Sequence, residues 1–136
     1  MSARRSAKRR AAVEEGYRSA FEKEIADQAK KDRIKFEYEP SEGRIEWVDK
    51  VKTYTPDFVL PNGIIVEAKG RLTVHDRKKH MQIKKQHPDL DIRFIFQYNN
   101  PITKGSKTRY TDWADKNGFP WAMKHIPKEW KKEKKK

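Results

Sequence analysis

Apolar residues recur along the chain with two different periods, and each period predicts a type of secondary structure. From about residue 17 to residue 31, Phe21, Ile25 and Ala29 are spaced four residues apart, which places them on one face of a predicted helix. Between residues 34 and 39, apolar and charged side chains alternate, a pattern that predicts a half-buried strand. The chain therefore combines helix and strand from its first third onwards.

The clearest local signal is a β-hairpin in the middle of the chain. Two β-prone apolar runs, Phe58-Val59-Leu60 and Ile64-Ile65-Val66, flank the turn sequence Pro61-Asn62-Gly63. Because side chains alternate between the two faces of a strand, the second strand has two sets of residues. One set is Ile65, Glu67 and Lys69, and the other is Ile64, Val66 and Ala68. We expect the first face to carry the reactive side chains and the second to pack in the core.

The register of this hairpin decides which acidic residues meet. If the turn has three residues, Leu60 pairs with Ile64, and counting outward sets Asp57 directly opposite Glu67. Directly opposed residues share a face, with Cβ atoms about 4.5–5.5 Å apart. A slip by one residue would instead bring Asp57 opposite Ala68 and separate the two carboxylates.

These paired carboxylates predict a site for a hard divalent cation. Two carboxylates this close repel each other, and a buried unpaired charge is expensive. Mg²⁺ binds a few carboxylate oxygens and keeps several waters. Lys69, on the same face as Glu67, is placed to orient or deprotonate a metal-bound water, or to stabilise negative charge on a phosphate. Phosphodiester hydrolysis needs this combination of groups.

The order Pro56-Asp57, a short spacer and then Glu67-x-Lys69 resembles the active-site signature of the restriction-endonuclease-like nuclease superfamily. A structural interpretation stays open, in which Asp57 is a surface turn residue and the other two lie on the solvent side of an edge strand. The hairpin between the two halves of the motif favours the nuclease interpretation, as does the basic character of the chain.

Further elements follow the hairpin. A helix is predicted over about 73–86, because a capping residue precedes it and His-Pro follows it. The nearly continuous apolar run 91–98 predicts a central strand, and residues 111–116 a short helix. Residues 44–52 are mostly polar and irregular, as expected of a linker or bridge. Four late aromatic residues are expected to pack in the core rather than stack on bases: Trp113, Phe119, Trp121 and Trp130.

Glu22 and two histidines have competing interpretations. Ser19-x-x-Glu22 is a possible capping box, in which Glu22 reaches back to a free backbone N–H at the start of its helix. That role is structural, whereas the family resemblance described below implies a catalytic one. His75 and His80 have neither a third metal ligand nor a nucleophile at suitable spacing, so the sequence assigns no catalytic role to them.

Charge and composition narrow the functional class. The 136 residues are enough for one domain, and 33 Lys and Arg against 20 Asp and Glu give a net charge of +13. This excess indicates a polyanionic partner, although ribosomal and membrane-surface proteins share it. The absence of cysteine excludes disulfides and thiolate metal sites. Since no stretch has transmembrane length and no phosphate-binding loop is present, we expect a soluble intracellular protein with no membrane partner and no nucleotide cofactor.

Basic residues concentrate in a few segments. Residues 1–16 are expected to form a flexible arm that lies along a phosphate backbone, and residues 131–136 form a basic tail. DNA contacts are expected from Arg4, Arg5, Lys8, Arg9, Arg10, Arg71, Arg77, Lys78, Lys79, Lys104 and Lys107. The alternative, that these residues only solvate a tail and a helix face, stays open.

Many short stretches together resemble the endonuclease I family of T-odd-type bacteriophages, whose members resolve four-way DNA junctions. The resemblance covers roughly residues 17–130. The matching residues are Tyr17-Arg18-Ser19 with Glu22, Lys35-Phe36-Glu37-Tyr38-Glu39, Tyr54-Thr55-Pro56-Asp57-Phe58, Leu60-Pro61-Asn62-Gly63-Ile64, Val66-Glu67, Lys69-Gly70, Asp76-Arg77-Lys78-Lys79-His80, Gln86-His87-Pro88, Leu90-Asp91-Ile92-Arg93, Ile126-Pro127 and Glu129-Trp130.

The resemblance implies four active-site residues: Glu22, Asp57, Glu67 and Lys69. It implies metal ligation by Asp57, Glu67 and the main-chain carbonyl of Ala68, with Glu22 completing a second metal position. Ala68 stands where the family has a hydroxyl residue, but only its carbonyl is needed. The implied cofactor is Mg²⁺, with Mn²⁺ as a substitute, and one or two ions bind in each site.

The resemblance also implies an architecture. The fold would be α/β of mixed type, with a restriction-endonuclease-like core in which helices flank a central mixed sheet. Residues 17–130 would form the nuclease domain of a domain-swapped homodimer, exchanged through a bridge at about 44–52. Each site would then combine Glu22 of one chain with Asp57, Glu67 and Lys69 of the other.

The function implied by the resemblance is metal-dependent resolution of four-way and other branched DNA by paired nicks, inside an infected bacterium. Two-fold symmetry suits this reaction, because a junction must be cut on two opposing strands. Two alternatives stay open: a non-catalytic basic nucleic-acid-binding protein, and a nuclease of the same superfamily that cuts linear duplex DNA.

Overall fold

The computed structural model describes residues 3–48 and 51–135. Within them the elements follow in the order α1 (Ala3–Glu14), α2 (Ala20–Lys31), β1 (Glu37–Tyr38), β2 (Ile45–Val48), β3 (Val51–Tyr54), β4 (Phe58–Val59), β5 (Ile65–Lys69), α3 (Val74–Gln86), β6 (Ile92–Phe96), α4 (Tyr110–Lys116), β7 (Trp121–Met123) and α5 (Lys128–Lys132). The helix predicted from apolar periodicity corresponds to α2, and the two predicted from capping and stop signals correspond to α3 and α4. None of the described helices is long and apolar enough to cross a membrane.

Five strands form one mixed sheet in the order β1-β4-β5-β6-β7. β1, β4 and β5 are antiparallel neighbours, whereas β5, β6 and β7 run parallel. β6 has a strand on each side and all five of its residues are buried, which confirms the central strand. The mixed α/β class with helices flanking a mixed sheet is likewise confirmed.

The predicted hairpin register is confirmed. Phe58 pairs with Val66, and Val59 pairs with Ile65. The backbone N–H of Leu60 donates to the carbonyl of Ile64 at 2.9 Å, as a three-residue turn requires. Gly63 has a φ of +89°, a backbone conformation that residues with a Cβ rarely adopt, so glycine fits this turn position.

Both faces of the sheet are covered by helices. On one face, Phe58, Ile64 and Val66 pack with residues of α1, α2 and α5. On the other, Ile65 packs with residues of α3 and α4. The expectation that one hairpin face would be purely chemical is therefore wrong: Glu67 lies on that face, but it is only 3% exposed within a second core. The cause is the parallel half of the sheet, whose two connections place α3 and α4 over this face.

α1 differs from the flexible arm that the sequence predicted. Residues 3–14 contain neither Pro nor Gly and are rich in Ala, Arg and Lys, which favour helix. Ala12 is fully buried in the core that includes α2, so packing adds to the intrinsic propensity. The helix ends before Gly16, which has a φ of +92°.

The strand predicted over residues 34–39 is reduced to β1. Arg33 adopts a left-handed conformation with a φ of 56°, and the N–H of Ile34 donates to the carbonyl of Ala29 at 2.9 Å. Ile34 therefore belongs to the end of α2, where it is buried, and pairing with β4 begins only at Glu37. The alternating pattern reported burial correctly but not the backbone conformation.

The segment expected to be an irregular bridge is a two-stranded hairpin. β2 and β3 are antiparallel, with Ile45 opposite Tyr54 and Val48 opposite Val51. Residues 49 and 50, also part of the predicted bridge, lie outside the described residues. β2 packs against α3, which explains why a mostly polar stretch still adopts regular structure.

The end of the chain is attached to the body by a group of residues that we call the C-terminal clamp: Asn62, Asp91, Arg93, Trp130 and Glu133. Arg93 binds Asp91 through Nε at 2.8 Å and Glu133 through Nη2 at 2.9 Å, and its guanidinium lies 5.1 Å from the centre of the Trp130 ring. The side chain of Asn62 donates to the carbonyl of Trp130 at 2.7 Å. The predicted basic tail thus begins inside α5.

The late aromatic residues are confirmed as packing residues. Trp113, Phe119 and Trp130 are each less than a tenth exposed. Trp121 is half-buried in the second core and donates its indole N–H to Asp115 at 2.8 Å. A buried ring cannot offer its face to a DNA base, so the base-stacking alternative is removed for the three buried rings.

Candidate active site

Asp57 and Glu67 meet where β4 begins and β5 nears its end. The N–H of Asp57 donates to Oε1 of Glu67 at 3.3 Å, and the N–H of Ala68 donates to Oδ2 of Asp57 at 3.0 Å. The confirmed hairpin register brings the two residues opposite each other, because Phe58 and Val66 are the next pair along. The sequence thus placed this pair of carboxylates correctly.

Burial sets the electrostatics of the pair. It raises the pKa of Asp57 well above its usual range, and the negative charge of Glu67 raises it further. Burial also raises the pKa of Glu67, although the charge of Lys69 and the hydroxyl of Tyr54 oppose the shift. Both carboxyl groups therefore favour a proton or a cation beside them over two bare negative charges.

Lys69 is held by a third acid, Asp76, at the start of α3. Its Nζ lies 3.2 Å from Oδ1 of Asp76, while Oδ2 of Asp76 accepts the N–H of Thr73 at 3.0 Å in a capping box. Burial alone would lower the pKa of Lys69, but Glu67, Asp76 and Asp57 outweigh burial and raise that pKa. Lys69 is therefore an ammonium ion here, suited to stabilising negative charge rather than to accepting a proton.

Glu22 lies in the first turn of α2 and approaches the pair from the other side of the hairpin. Its Oε1 accepts the N–H of Arg18 at 3.0 Å and the hydroxyl of Tyr38 at 2.7 Å, and its own N–H donates to Ser19 Oγ at 3.0 Å. The structural capping role is thus present. The charge of Glu22 also raises the pKa of Asp57, so the two carboxylates of one chain influence each other electrostatically.

Two residues near Glu67 had no assigned role in the sequence analysis: Tyr54 and His80. The hydroxyl of Tyr54 donates to Oε1 of Glu67, and burial keeps this hydroxyl protonated by raising its pKa. Nε2 of His80 lies 4.0 Å from Oε2 of Glu67, and burial lowers the pKa of His80 to about 3. The signal that finds His80 is its spacing with Asp76 and Ile83, at i, i+4 and i+7 on one face of α3.

The donor set fits a hard divalent cation in part. Among the described residues, no group of three His, Asp or Glu side chains is arranged to hold a metal. Two buried carboxylates with raised pKa values nevertheless form a site that a cation would neutralise. The carbonyl of Ile64 points towards β4, because it accepts the N–H of Leu60. Backbone groups of every second residue along a strand point to the same edge, so the carbonyl of Ala68 also points towards β4 and Asp57.

The predicted DNA-binding residues occupy three places. Lys8, Arg9 and Arg10 are exposed on α1; the side chains of Arg4 and Arg5 lie outside the description. Arg71 and Lys78 are exposed around the start of α3, and Lys104 and Lys107 are exposed in the loop before α4. Two residues have structural contacts instead: Nη1 of Arg77 donates to the carbonyls of Leu72 and Ile102, and Lys79 covers the Tyr54 ring. DNA contact by these residues stays a prediction.

The raised pKa of Asp57 predicts that the metal-free protein loses stability as pH rises. The folded state holds a proton on Asp57 more tightly than the unfolded state does, so this contribution is present below the ordinary carboxyl pKa near 4 and is lost towards neutral pH. We expect Asp57→Asn to raise the melting temperature in EDTA, with a larger gain at pH 7.5 than at pH 5. Each 1 kcal/mol of relieved repulsion corresponds to about 4 °C.

Thermal denaturation by circular dichroism at both pH values measures this difference. The matched control is Asp89→Asn, which makes the same chemical change at an exposed position away from the site. Equal shifts for the two variants at both pH values would contradict the repulsion inferred between Asp57 and Glu67.

Comparison with known proteins extends over the whole site. A family model described as phage endonuclease I matches residues 1–136. A protein named endonuclease I, from Escherichia phage T7, is 47% identical over 123 residues, which are 88% of this chain and 81% of the relative. A protein named endodeoxyribonuclease 1, from Enterobacteria phage T3, is 45% identical over 123 residues, covering 88% and 80% of the two chains.

Proposed function

The chain belongs to the phage endonuclease I family and is a phosphodiester hydrolase that cleaves DNA; from this premise we propose that it resolves four-way and other branched DNA junctions by metal-dependent, paired nicks. The observation that carries the proposal is the buried pair Asp57 and Glu67 with the ammonium of Lys69 beside it. This arrangement combines a cation site with a positive charge for the phosphate. As a phage nuclease, the protein would act in the cytoplasm of an infected bacterium.

The cofactor that we propose is Mg²⁺, replaceable by Mn²⁺, with one or two ions per site. Asp57, Glu67 and the carbonyl of Ala68 would hold the first ion, and Glu22 would complete a second position. A bound ion of this kind supplies an activated water and polarises the phosphate. The chain itself contributes the charge of Lys69, which Asp76 orients at 3.2 Å, and the hydroxyl of Tyr54, which fixes Glu67.

We further propose that two chains exchange their N-terminal segments around a restriction-endonuclease-like core. The hairpin of β2 and β3 supports this proposal, because opening it produces an extended link from Ile45 to Tyr54 of about 30 Å. The contacts that hold the N-terminal segment in the single chain would then form between chains. They include the pairing of Tyr38 with Phe58. The hydrogen bond from Tyr38 to Glu22 would stay within the exchanged segment.

Recognition of branched DNA would depend on shape and phosphates. The exposed basic residues of α1, of the start of α3 and of the loop before α4 would contact phosphate backbones. A two-fold assembly presents two sites at a fixed separation, which suits paired cuts on opposing strands. Such binding weakens steeply with salt, because each neutralised phosphate releases counterions.

Cleavage of a synthetic four-way junction, compared with a linear duplex of the same sequence, tests the proposal. We expect paired nicks on opposing strands of the junction in Mg²⁺, none in EDTA, and little cleavage of the duplex. Binding without cleavage under any divalent ion would favour the non-catalytic binding protein. Equal cleavage of junction and duplex would favour the linear-duplex nuclease.

A further inference from the structure

His80 is a fully buried polar side chain to which neither the family assignment nor the proposed chemistry gives a role. It lies in the middle of α3 and is 0% exposed. Among the described residues, neither ring nitrogen has a hydrogen-bond partner. A buried polar group without a partner costs stability, so a position that served packing alone would favour an apolar side chain.

The neighbours of His80 fix the direction of its ring. The rings of Tyr54 and Phe94 contact it edge to face, with centroids 5.4 Å and 5.0 Å away. In this arrangement Nε2 lies 4.0 Å from Oε2 of Glu67. The gap is about 1 Å longer than a hydrogen bond. Tyr54 already binds the other oxygen, Oε1, so the two side chains lie on either side of one carboxylate.

We propose that His80 is a positioning residue for Glu67, donating Nε2–H to Oε2 when Glu67 binds a divalent cation. This inference rests on the proposed function, which places the cation at Glu67. A neutral imidazole offers one N–H donor, and a donor behind a metal-binding carboxylate fixes the carboxylate's orientation. The rings of Tyr54 and Phe94 hold His80 ready for this contact at the cost of leaving it unpaired in the metal-free protein.

The test measures Mn²⁺ affinity of the full chain by titration calorimetry without DNA, together with melting temperature in EDTA. We expect His80→Leu to weaken Mn²⁺ binding by about ten- to a hundred-fold, the usual effect of losing such a supporting group. Its melting temperature should be unchanged or higher, because an unpaired polar group is removed. His75→Leu, on the exposed side of α3, is the matched control and should bind Mn²⁺ as the wild type does.

Two amide variants separate positioning from packing. The amide of His80→Gln reaches the position of Nε2, whereas that of His80→Asn reaches only the position of Nδ1. We expect Gln to recover most of the affinity and Asn to recover little, even if both lower the melting temperature equally. Equal affinities for the two amide variants would overturn the proposal, and this comparison holds even where His80→Leu folds poorly.

Glu67→Gln distinguishes failure of this inference from failure of the metal site. If Glu67→Gln loses Mn²⁺ binding but His80→Leu binds as tightly as the wild type, only the role of His80 is overturned. If Glu67→Gln leaves the binding heat of the wild type unchanged, the metal assignment is overturned and the role of His80 with it.

Discussion

Replacing Glu67 with Gln is expected to slow junction cleavage at least about a thousand-fold, which corresponds to roughly 4 kcal/mol of lost transition-state stabilisation. The substitution keeps the shape of the side chain and removes its charge. Tyr54 and the N–H of Asp57 both donate to Oε1 of Glu67. In the variant these donors would face a neutral amide, which lacks the negative charge proposed to bind the cation. Single-turnover cleavage of an end-labelled junction in Mg²⁺ measures the loss.

Junction affinity should change little in the same variant. Glu67 is 3% exposed and lies beneath α3, so its side chain offers DNA almost no surface to bind. Gel-shift titration in EDTA checks this expectation, and Glu129→Gln, an exposed position on α5, provides the matched control. A parallel loss of binding and cleavage would show that Glu67 supports the fold rather than the chemistry.

Mixed dimers of Glu22→Ala and Lys69→Ala chains are expected to regain cleavage, although each variant alone is expected to be inactive. In a swapped dimer, one site would carry both substitutions and the other would carry neither. After random mixing, half the dimers are mixed, so about a quarter of all sites should be intact. Cleavage of one strand per junction should recover, because each mixed dimer has a single working site. Nicking assays on dimers remixed by denaturation and refolding measure the recovery.

The matched control for this experiment mixes Asp57→Ala with Lys69→Ala. These two residues lie on the same side of the proposed exchange, so every site in the mixed dimer retains one defect. Recovery in the first mixture and not in the second identifies sites shared between chains. No recovery in either, with mixed dimers verified by differently tagged chains, would instead support the arrangement of the single chain, in which Glu22 approaches Asp57 of its own chain.

The central hairpin was predictable because local chemistry determines it. The turn sequence ending at Gly63 sets the register, and a strand's two-residue period then sets which side chains meet. The opposition of Asp57 and Glu67 follows from these two facts without knowledge of the rest of the fold. The central position of β6 was predictable for a similar reason, since a nearly continuous apolar run is typical of a strand that is buried on both faces of the sheet.

Other features depended on contacts between distant segments. The helix α1 has a basic sequence that is also compatible with a solvated tail, and the burial of Ala12 decides between them. The hairpin of β2 and β3 depends on packing against α3, and its mostly polar sequence gives no local signal for that packing. In the sequence, His80 is one of several polar residues on a charged helix, and only the position of α3 over β5 brings it to Glu67.

The C-terminal clamp has a consequence for the order of events during synthesis. Asn62, in the turn between β4 and β5, donates to the carbonyl of Trp130, 68 residues later in the chain. Arg93 likewise binds Glu133, which follows it by 40 residues in the chain. Because translation proceeds from the N-terminus, the hairpin is synthesised well before Trp130 and Glu133. A nascent chain halted before residue 130 therefore lacks the contacts that hold the turn of the β4–β5 hairpin, although Asp57 and Glu67 have already been synthesised.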